Sequence, residues 1–222
     1  MRLRNKPWTE KFLEINKDKL INWTEENKIS SQAFFNNNKP IHLEIGCGKG
    51  NFISTLAINN SNINFIGMEK ERTVVGVALK KAINIFQEAN LTMTNLKFLN
   101  KFAEKLTDMF EPKSIDQIYL NFSDPWPKSK HAKKRLTNVT FLDLYKVILK
   151  PGGEIHMKTD NDGLFISTLE QLELRPEWII MQKTTDLYDN PEMLEGNIPT
   201  EYETRFNNMG KNINKVIFKQ NS

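Results

Sequence analysis

The feature that most constrains this chain is the run Leu43-Glu44-Ile45-Gly46-Cys47-Gly48-Lys49-Gly50, the end of a short apolar segment passing into a glycine turn. Glycines at alternating positions let a backbone turn sharply and come close to a ligand. An apolar strand that ends in such a turn and opens into a helix begins a βα unit. The rhythm continues downstream. Strands are predicted over 41–45, 64–69, 96–100, 114–120, 153–159, 178–183 and 214–219, and helices over 51–59, 73–88, 138–149 and 164–174. Lys150-Pro151-Gly152-Gly153 reads as a breaker between helix and strand. Such alternation implies an α/β fold, a mainly parallel sheet with helices on both faces. Upstream of Pro40, residues 1–39 read as a basic, helical extension to the domain 40–222, with an amphipathic helix over 9–25.

Ligands of open α/β sheets bind outside the carboxyl ends of the strands. The segments to inspect are therefore 44–50, 69–72, 100–104, 121–128 and 159–163. Glu44 lies at the end of a buried first strand, where a carboxylate is costly unless it meets a donor or a positive charge. Glu69 closes the second strand, where an acid suits the two hydroxyls of a nucleoside ribose. A dinucleotide fingerprint would require a third glycine at position 51, which is Asn51. Nucleoside, glycine turn and a nearby carboxylate together favour S-adenosylmethionine, which has no pyrophosphate and carries an ammonium and a sulfonium. Cys47 reads as a small residue fitting the turn.

Composition removes several alternatives. No apolar run approaches the ~20 residues of a bilayer span, and Met1 to Glu10 holds no secretion core. A single cysteine excludes an internal disulfide, and a reducing cytoplasm is the expected compartment. His42, His131 and His156 are far apart in sequence and give no metal-ligand spacing. The net charge of +4 matters less than its distribution. Lys128, Lys130, Lys133, Lys134 and Arg135 flank His131 without an acid, Arg2, Arg4 and Lys6 precede the first acid, and Lys211, Lys215 and Lys219 follow Arg205. Separate basic segments can converge on a polyanion. The stretch from Asp186 to Glu203 carries acids only, as a solvated loop or as a flap that closes on a bound substrate.

After the fourth strand comes Asn121-Phe122-Ser123-Asp124-Pro125-Trp126-Pro127-Lys128, a loop stiffened by two prolines. Asp124 could accept hydrogen bonds from a guanine edge, and Lys128 with the following cations could grip phosphates. Trp126 could stack on a base or could anchor the loop to the core.

This loop and several other motifs resemble those of the bacterial tRNA (guanine-N7-)-methyltransferases, within the class I S-adenosylmethionine-dependent methyltransferases. The resemblance runs from Arg2, Arg4, Lys6, Pro7 and Trp8 through IHLEIGCGKG, FIGME, IYLNFSDPWPK, KHAKKRLT and HMKTDN to PTEYETRF. It implies a Rossmann-like class I methyltransferase fold: a mainly parallel seven-stranded sheet with a late antiparallel strand. It further implies S-adenosylmethionine as cofactor, tRNA as partner, and methylation of N7 of a guanosine in the tRNA variable loop. Carried over by motif, Asp124 is the catalytic residue, and the cofactor site comprises Glu44, Gly46, Gly48, Gly50, Glu69 and Asp124 with the Asn100–Phe102 segment. The substrate site comprises Lys128, Asp160, Thr200, Glu201, Tyr202 and Glu203, and RNA contact centres on Lys130, His131, Lys133, Lys134 and Arg135. In one departure, Phe102 stands where relatives carry an acid near the adenine, and Asn100 or Glu104 is the candidate replacement.

Guanine N7 has an in-plane lone pair and no proton to remove, so catalysis reduces largely to alignment in a site shielded from water. Asp124 would then position the base and stabilise the positive charge that grows on the ring. Two other readings are available. A methyltransferase for another substrate would have no use for residues 128–135, and an RNA-binding module with a vestigial cofactor fold would take up no methyl donor. Monomer and homodimer both remain open.

Overall fold

The computed structural model describes residues 6–221, so Arg2 and Arg4 lie outside the described residues. The described residues divide into two compact units, with the division between Glu111 and Pro112. Among the described residues, no helix is long and apolar enough to cross a membrane.

The first unit holds β1 (Ile41–Ile45), β2 (Asn64–Met68) and β3 (Leu96–Leu99), parallel and in the order β3-β2-β1. β2 is buried along its whole length, as the continuous apolar run of a parallel strand covered on both faces requires. Two helices pack on this sheet, α3 (Asn51–Asn59) and α4 (Arg72–Glu88). They enclose Ile53, Ala57, Phe65, Val75, Leu79, Phe86 and Phe98 in one core. The region before Pro40 joins the same core. Its first helix, α1 (Trp8–Ile15), buries Leu13 and lays Thr9 against Gly76 of α4. A Cβ at Gly76 would lie 2.6 Å from the Thr9 Cβ, so only glycine permits this crossing.

The helix predicted over 9–25 is shorter than expected. The Asn16 amide donates to the Phe12 carbonyl and closes α1 at Ile15. A 3-10 turn over Lys17–Lys19 follows, and the Ile21 N–H then bonds the Phe98 carbonyl at 2.8 Å. Leu20 and Ile21 thus run beside β3, giving part of that strand a hydrogen-bonding neighbour. Periodicity could not separate this from helix, because the apolar residues of an edge-covering segment fall at compatible spacings. A short helix, α2 (Ser31–Phe35), forms in the polar stretch before Pro40; Ser30 caps its start and Asn36 ends it at φ 54°.

The second unit holds β4 (Ile115–Asn121), β5 (Leu149–Thr159), β6 (Trp178–Thr184) and β7 (Asn214–Gln220), in the order β4-β5-β7-β6. β4 and β5 are parallel, while β7 runs antiparallel to both of its neighbours, the late antiparallel strand expected. The short α5 (Leu106–Met109) follows β3 in the first unit; in the second, α6 (Val139–Ile148) precedes β5, α7 (Asp162–Glu173) follows it, and the short α8 (Pro191–Leu194) comes after β6. The breaker at 150–153 does not separate helix from strand. β5 begins at Leu149 and passes through Pro151 and Gly152, both exposed, where the register with β4 shifts between Ile115 and Gln117. An irregularity there accommodates the proline that a regular ladder would reject.

Candidate active site

In the first unit the glycine turn is fixed by its own backbone. The Gly46 and Cys47 N–H groups both donate to the Met68 carbonyl, at 2.8 and 3.0 Å, and Gly50 N–H returns to the Cys47 carbonyl at 2.9 Å. Gly46, Gly48 and Gly50 have φ of 77°, 53° and 73°, the left-handed region that favours glycine. A Cβ placed on Gly46 or Gly48 would meet nothing within 4 Å, so the turn borders open space a ligand can enter. Glu44 is buried at the end of β1. Glu69 follows β2 and has both carboxylate oxygens held: Oε2 accepts from Gly48 N–H at 3.3 Å and Oε1 from Glu71 N–H at 3.1 Å.

The two acids share an electrostatic neighbourhood. Burial first, and then the charges of Glu44 and Glu69, push the Cys47 thiol well above its usual range. Cys47 is therefore an inert filler of the turn, as its sequence context predicts. Asn100 donates both amide protons, to the Glu69 and Lys70 carbonyls at 2.9 Å each. It braces the segment carrying Glu69 and keeps its carbonyl oxygen as the end able to accept from a ligand. Phe102 is 58% exposed, and Glu104 is also exposed. This half offers fixed carboxylates, an acceptor on Asn100 and a side-chain-free turn. Those acceptors suit a ligand with adjacent hydroxyls and a positive charge, and they suit a pyrophosphate poorly.

In the second unit, Asp124 and Lys128 are exposed on the loop after β4. The loop is bent by two non-glycine residues with positive φ, Phe122 at 50° and Trp126 at 41°. Such conformations cost of order 1 kcal/mol each and persist where surrounding contacts enforce them. The enforcing contacts come from the basic run. Arg135 Nε donates to the Pro125 carbonyl at 3.1 Å and one terminal nitrogen to the Trp126 carbonyl at 3.1 Å; the other reaches Ser167 Oγ on α7 at 2.8 Å. Lys134 Nζ sits 4.7 Å from the centre of the Trp126 ring, and the His131 ring meets it edge-on at 5.7 Å. Trp126 thus meets the 3-10 turn over Ser129–Lys134, none of whose residues is buried, so these contacts are not with the core. Lys130, Lys133 and Lys134 are exposed, as phosphate-contacting cations would be, whereas Arg135 is half-buried and engaged.

Asp160, just past β5, lines an open pocket of roughly 550 Å³ with Asp162, Phe165, Thr185, Lys211 and Asn214 among its walls. Lys211 Nζ lies 3.8 Å from it. Burial, followed by the charge of Asp160 and a hydrogen bond to it, raises the Tyr202 phenol. Thr200 caps α9 (Glu201–Asn207) in a reciprocal box, its hydroxyl accepting from Glu203 N–H at 2.9 Å. Tyr202 stacks on Phe206 at 4.2 Å between ring centres and meets Phe122 at 5.0 Å.

Glu203 corrects the sequence expectation. It is 0% exposed and its carboxylate is saturated: Oε1 accepts from Tyr188 OH at 3.2 Å and Asn197 Nδ2 at 2.8 Å. Oε2 accepts from Lys158 Nζ at 2.6 Å and Thr200 N–H at 3.2 Å. Four donors fill the four lone-pair directions of a carboxylate, so Glu203 is an internal anchor rather than a guanosine ligand. Lys158, 4% exposed, also donates to Asn197 Oδ1 and the Ile198 carbonyl at 3.0 Å each. Reading the sequence residue by residue missed Lys158, although a lysine inside the apolar strand His156-Met157-Lys158 was itself a signal that a buried acid must exist. The acidic stretch before α9 is packed as well, with Leu187 and Met193 buried against Ile213 and Ile217.

A family model described as a putative methyltransferase matches residues 38–216. A tRNA (guanine-N(7)-)-methyltransferase of Mesoplasma florum is 59% identical, over 99% of each chain. One of the same name from Bacillus subtilis is 43% identical over 96% of each chain. Among solved structures, an antibiotic-related methyltransferase superposes with a TM-score of 0.62 at 16% identity, covering 92% of this chain and 98% of that one. The 16S rRNA methyltransferase KamB gives 0.61 at 12% identity, over 88% and 95%. The fold is the Rossmann-like class I methyltransferase fold implied by the sequence, and the chain belongs to the tRNA (guanine-N(7)-)-methyltransferase family.

Proposed function

We propose that this protein transfers a methyl group from S-adenosylmethionine to N7 of a guanosine in the variable loop of tRNA. The observation that carries this reading is the near full-length match, at 43–59% identity, to relatives named tRNA (guanine-N(7)-)-methyltransferase. S-adenosylmethionine, when bound, supplies an electrophilic methyl group on a positively charged sulfur. The first unit's acceptors fit it. Glu69, its carboxylate fixed by two backbone N–H groups, is suited to accept from the ribose hydroxyls. Glu44 is suited to face the amino acid end, the open side of Gly46 and Gly48 admits the ligand without side-chain obstruction, and the Asn100 carbonyl oxygen can accept from the adenine amine.

On the acceptor side, N7 needs no general base, so the residues of the second unit have orienting and electrostatic work. Asp124, on a loop bent by Phe122 and Trp126, is assigned to the purine, where a carboxylate offsets the charge that develops on methylation. Lys128, Asp160, Thr200, Glu201 and Tyr202 are assigned to the guanosine and its phosphate. Lys130, His131, Lys133 and Lys134 are assigned to the tRNA backbone, where each cation adds to a salt-dependent attraction. Residues 1–39 belong to this reading as a basic extension of the methyltransferase domain 40–222, in a protein of the cytoplasm. Incubation of the protein with unmodified tRNA and methyl donor, followed by nucleoside mass analysis and mapping, is the test. One 7-methylguanosine per tRNA, in the variable loop, is the expected product; methylation elsewhere or none at all overturns the proposal.

A further inference from the structure

The basic run 128–135 contains one cation whose surroundings differ from all the others. Lys128, Lys130, Lys133 and Lys134 are exposed, while Arg135 is half-buried with three donors engaged inside the protein. Its guanidinium forks onto two consecutive carbonyls, Pro125 and Trp126, and reaches back to Ser167 on α7. Those carbonyls lie immediately after Asp124, in the part of the loop where Trp126 holds φ at 41°. Pro125 and Pro127 have no N–H with which to make a turn of their own. A planar fork can satisfy two neighbouring carbonyls in one fixed geometry, which a lysine ammonium cannot reproduce. The backbone around Arg135 is fixed as well: its N–H bonds the Ala132 carbonyl at 3.0 Å and its own carbonyl receives Asn138 N–H at 2.9 Å. Two residues on, buried Thr137 bonds Thr168 of α7 at 2.7 Å.

We infer that Arg135 is a positioning residue for the loop bearing Asp124, tying it to α7, and is not a contact to the tRNA backbone. The inference rests on the reading of that loop as the methylating site. It divides the basic run by role. The exposed lysines set affinity and its salt dependence, while Arg135 sets the geometry in which Asp124 is presented.

The test compares Arg135→Ala, Arg135→Lys and Lys133→Ala by tRNA binding across a salt series and by single-turnover methylation at saturating tRNA. Hydrogen exchange of the 121–128 segment is measured alongside. Arg135→Ala is expected to slow the saturated step by about tenfold or more while tRNA affinity stays within about threefold and the salt slope is unchanged. Exchange in the loop should rise. Arg135→Lys, with charge kept but fork lost, should resemble the alanine variant. Lys133→Ala should weaken binding and flatten the salt slope with loop exchange retained. Should Arg135→Ala fail to fold, Ser167→Ala, which removes one arm of the brace, should show the same pattern more weakly. Loss of tRNA affinity with a flatter salt slope, rescue by lysine and unchanged loop exchange would overturn the inference. If the parent protein makes no 7-methylguanosine, the functional reading fails separately, and exchange and binding still decide the role of Arg135.

Discussion

The two halves of the molecule build their sites by different means. In the first, the glycine turn, the Met68 carbonyl and the N–H groups of Gly48 and Glu71 do the fixing, so the architecture is one of backbone holding carboxylate. In the second, side chains distant in sequence hold the loops: Arg135 braces 125–126, and Lys158 with Asn197 and Tyr188 anchors Glu203. A backbone-built site writes itself into a short motif, because glycine spacing is the structure. A side-chain-built site is scattered over many residues, and any one of them resembles a ligand until its partners are seen.

This contrast sets the size of the expected effects. Lys158→Ala should be the most damaging change, because it strands the Glu203 carboxylate where water does not reach; loss of one partner of a buried pair typically costs about 3–5 kcal/mol. Chemical denaturation would show it. An effect near zero for Lys158→Ala would mean that the pair is solvated in solution. Next, Asp124→Ala should lower turnover by more than it weakens cofactor binding, at little stability cost since the side chain is exposed. Methylation within about threefold of the parent would remove Asp124 from the chemistry.

Tyr188→Phe is smaller, about 1 kcal/mol for one hydrogen bond to Glu203. Burial and the Glu203 charge push the Tyr188 phenol up from 10 to about 12. The neutral phenol is therefore favoured in the folded state, and its contribution is complete below pH 10 and is lost as pH rises through about 12. Absorbance titration of parent against Tyr188→Phe should lose a late tyrosinate step, and an early step lost instead would contradict the network. Smallest of all, Cys47 should resist alkylation at pH 8 in the folded protein, because burial and two nearby carboxylates keep its thiol protonated.

Much of this was legible in the sequence. β1, the turn and α3 follow from apolar residues and glycine, and the burial of Glu44 from its place on a buried strand. The late antiparallel β7 was legible through resemblance to the family. Leu20 and Ile21 were not, because pairing with Phe98 is a tertiary event without local signature. Nor was the difference between Arg135 and Lys134, neighbours of like charge, since only one of them finds carbonyls within reach. Glu203 carried a misleading signal: it belongs to a motif read as substrate-binding, yet the capping box with Thr200 turns its carboxylate back into the protein.

We propose that the first half serves the cofactor and the second serves the tRNA. Equilibrium binding of both ligands to Glu69→Ala and to the combined Lys130, Lys133 and Lys134→Ala variant tests it in one crossed measurement. Glu69→Ala should weaken methyl-donor binding by about tenfold or more with tRNA affinity retained, and the triple variant should do the reverse. Loss of tRNA affinity in Glu69→Ala, with methyl-donor binding intact, would contradict the account.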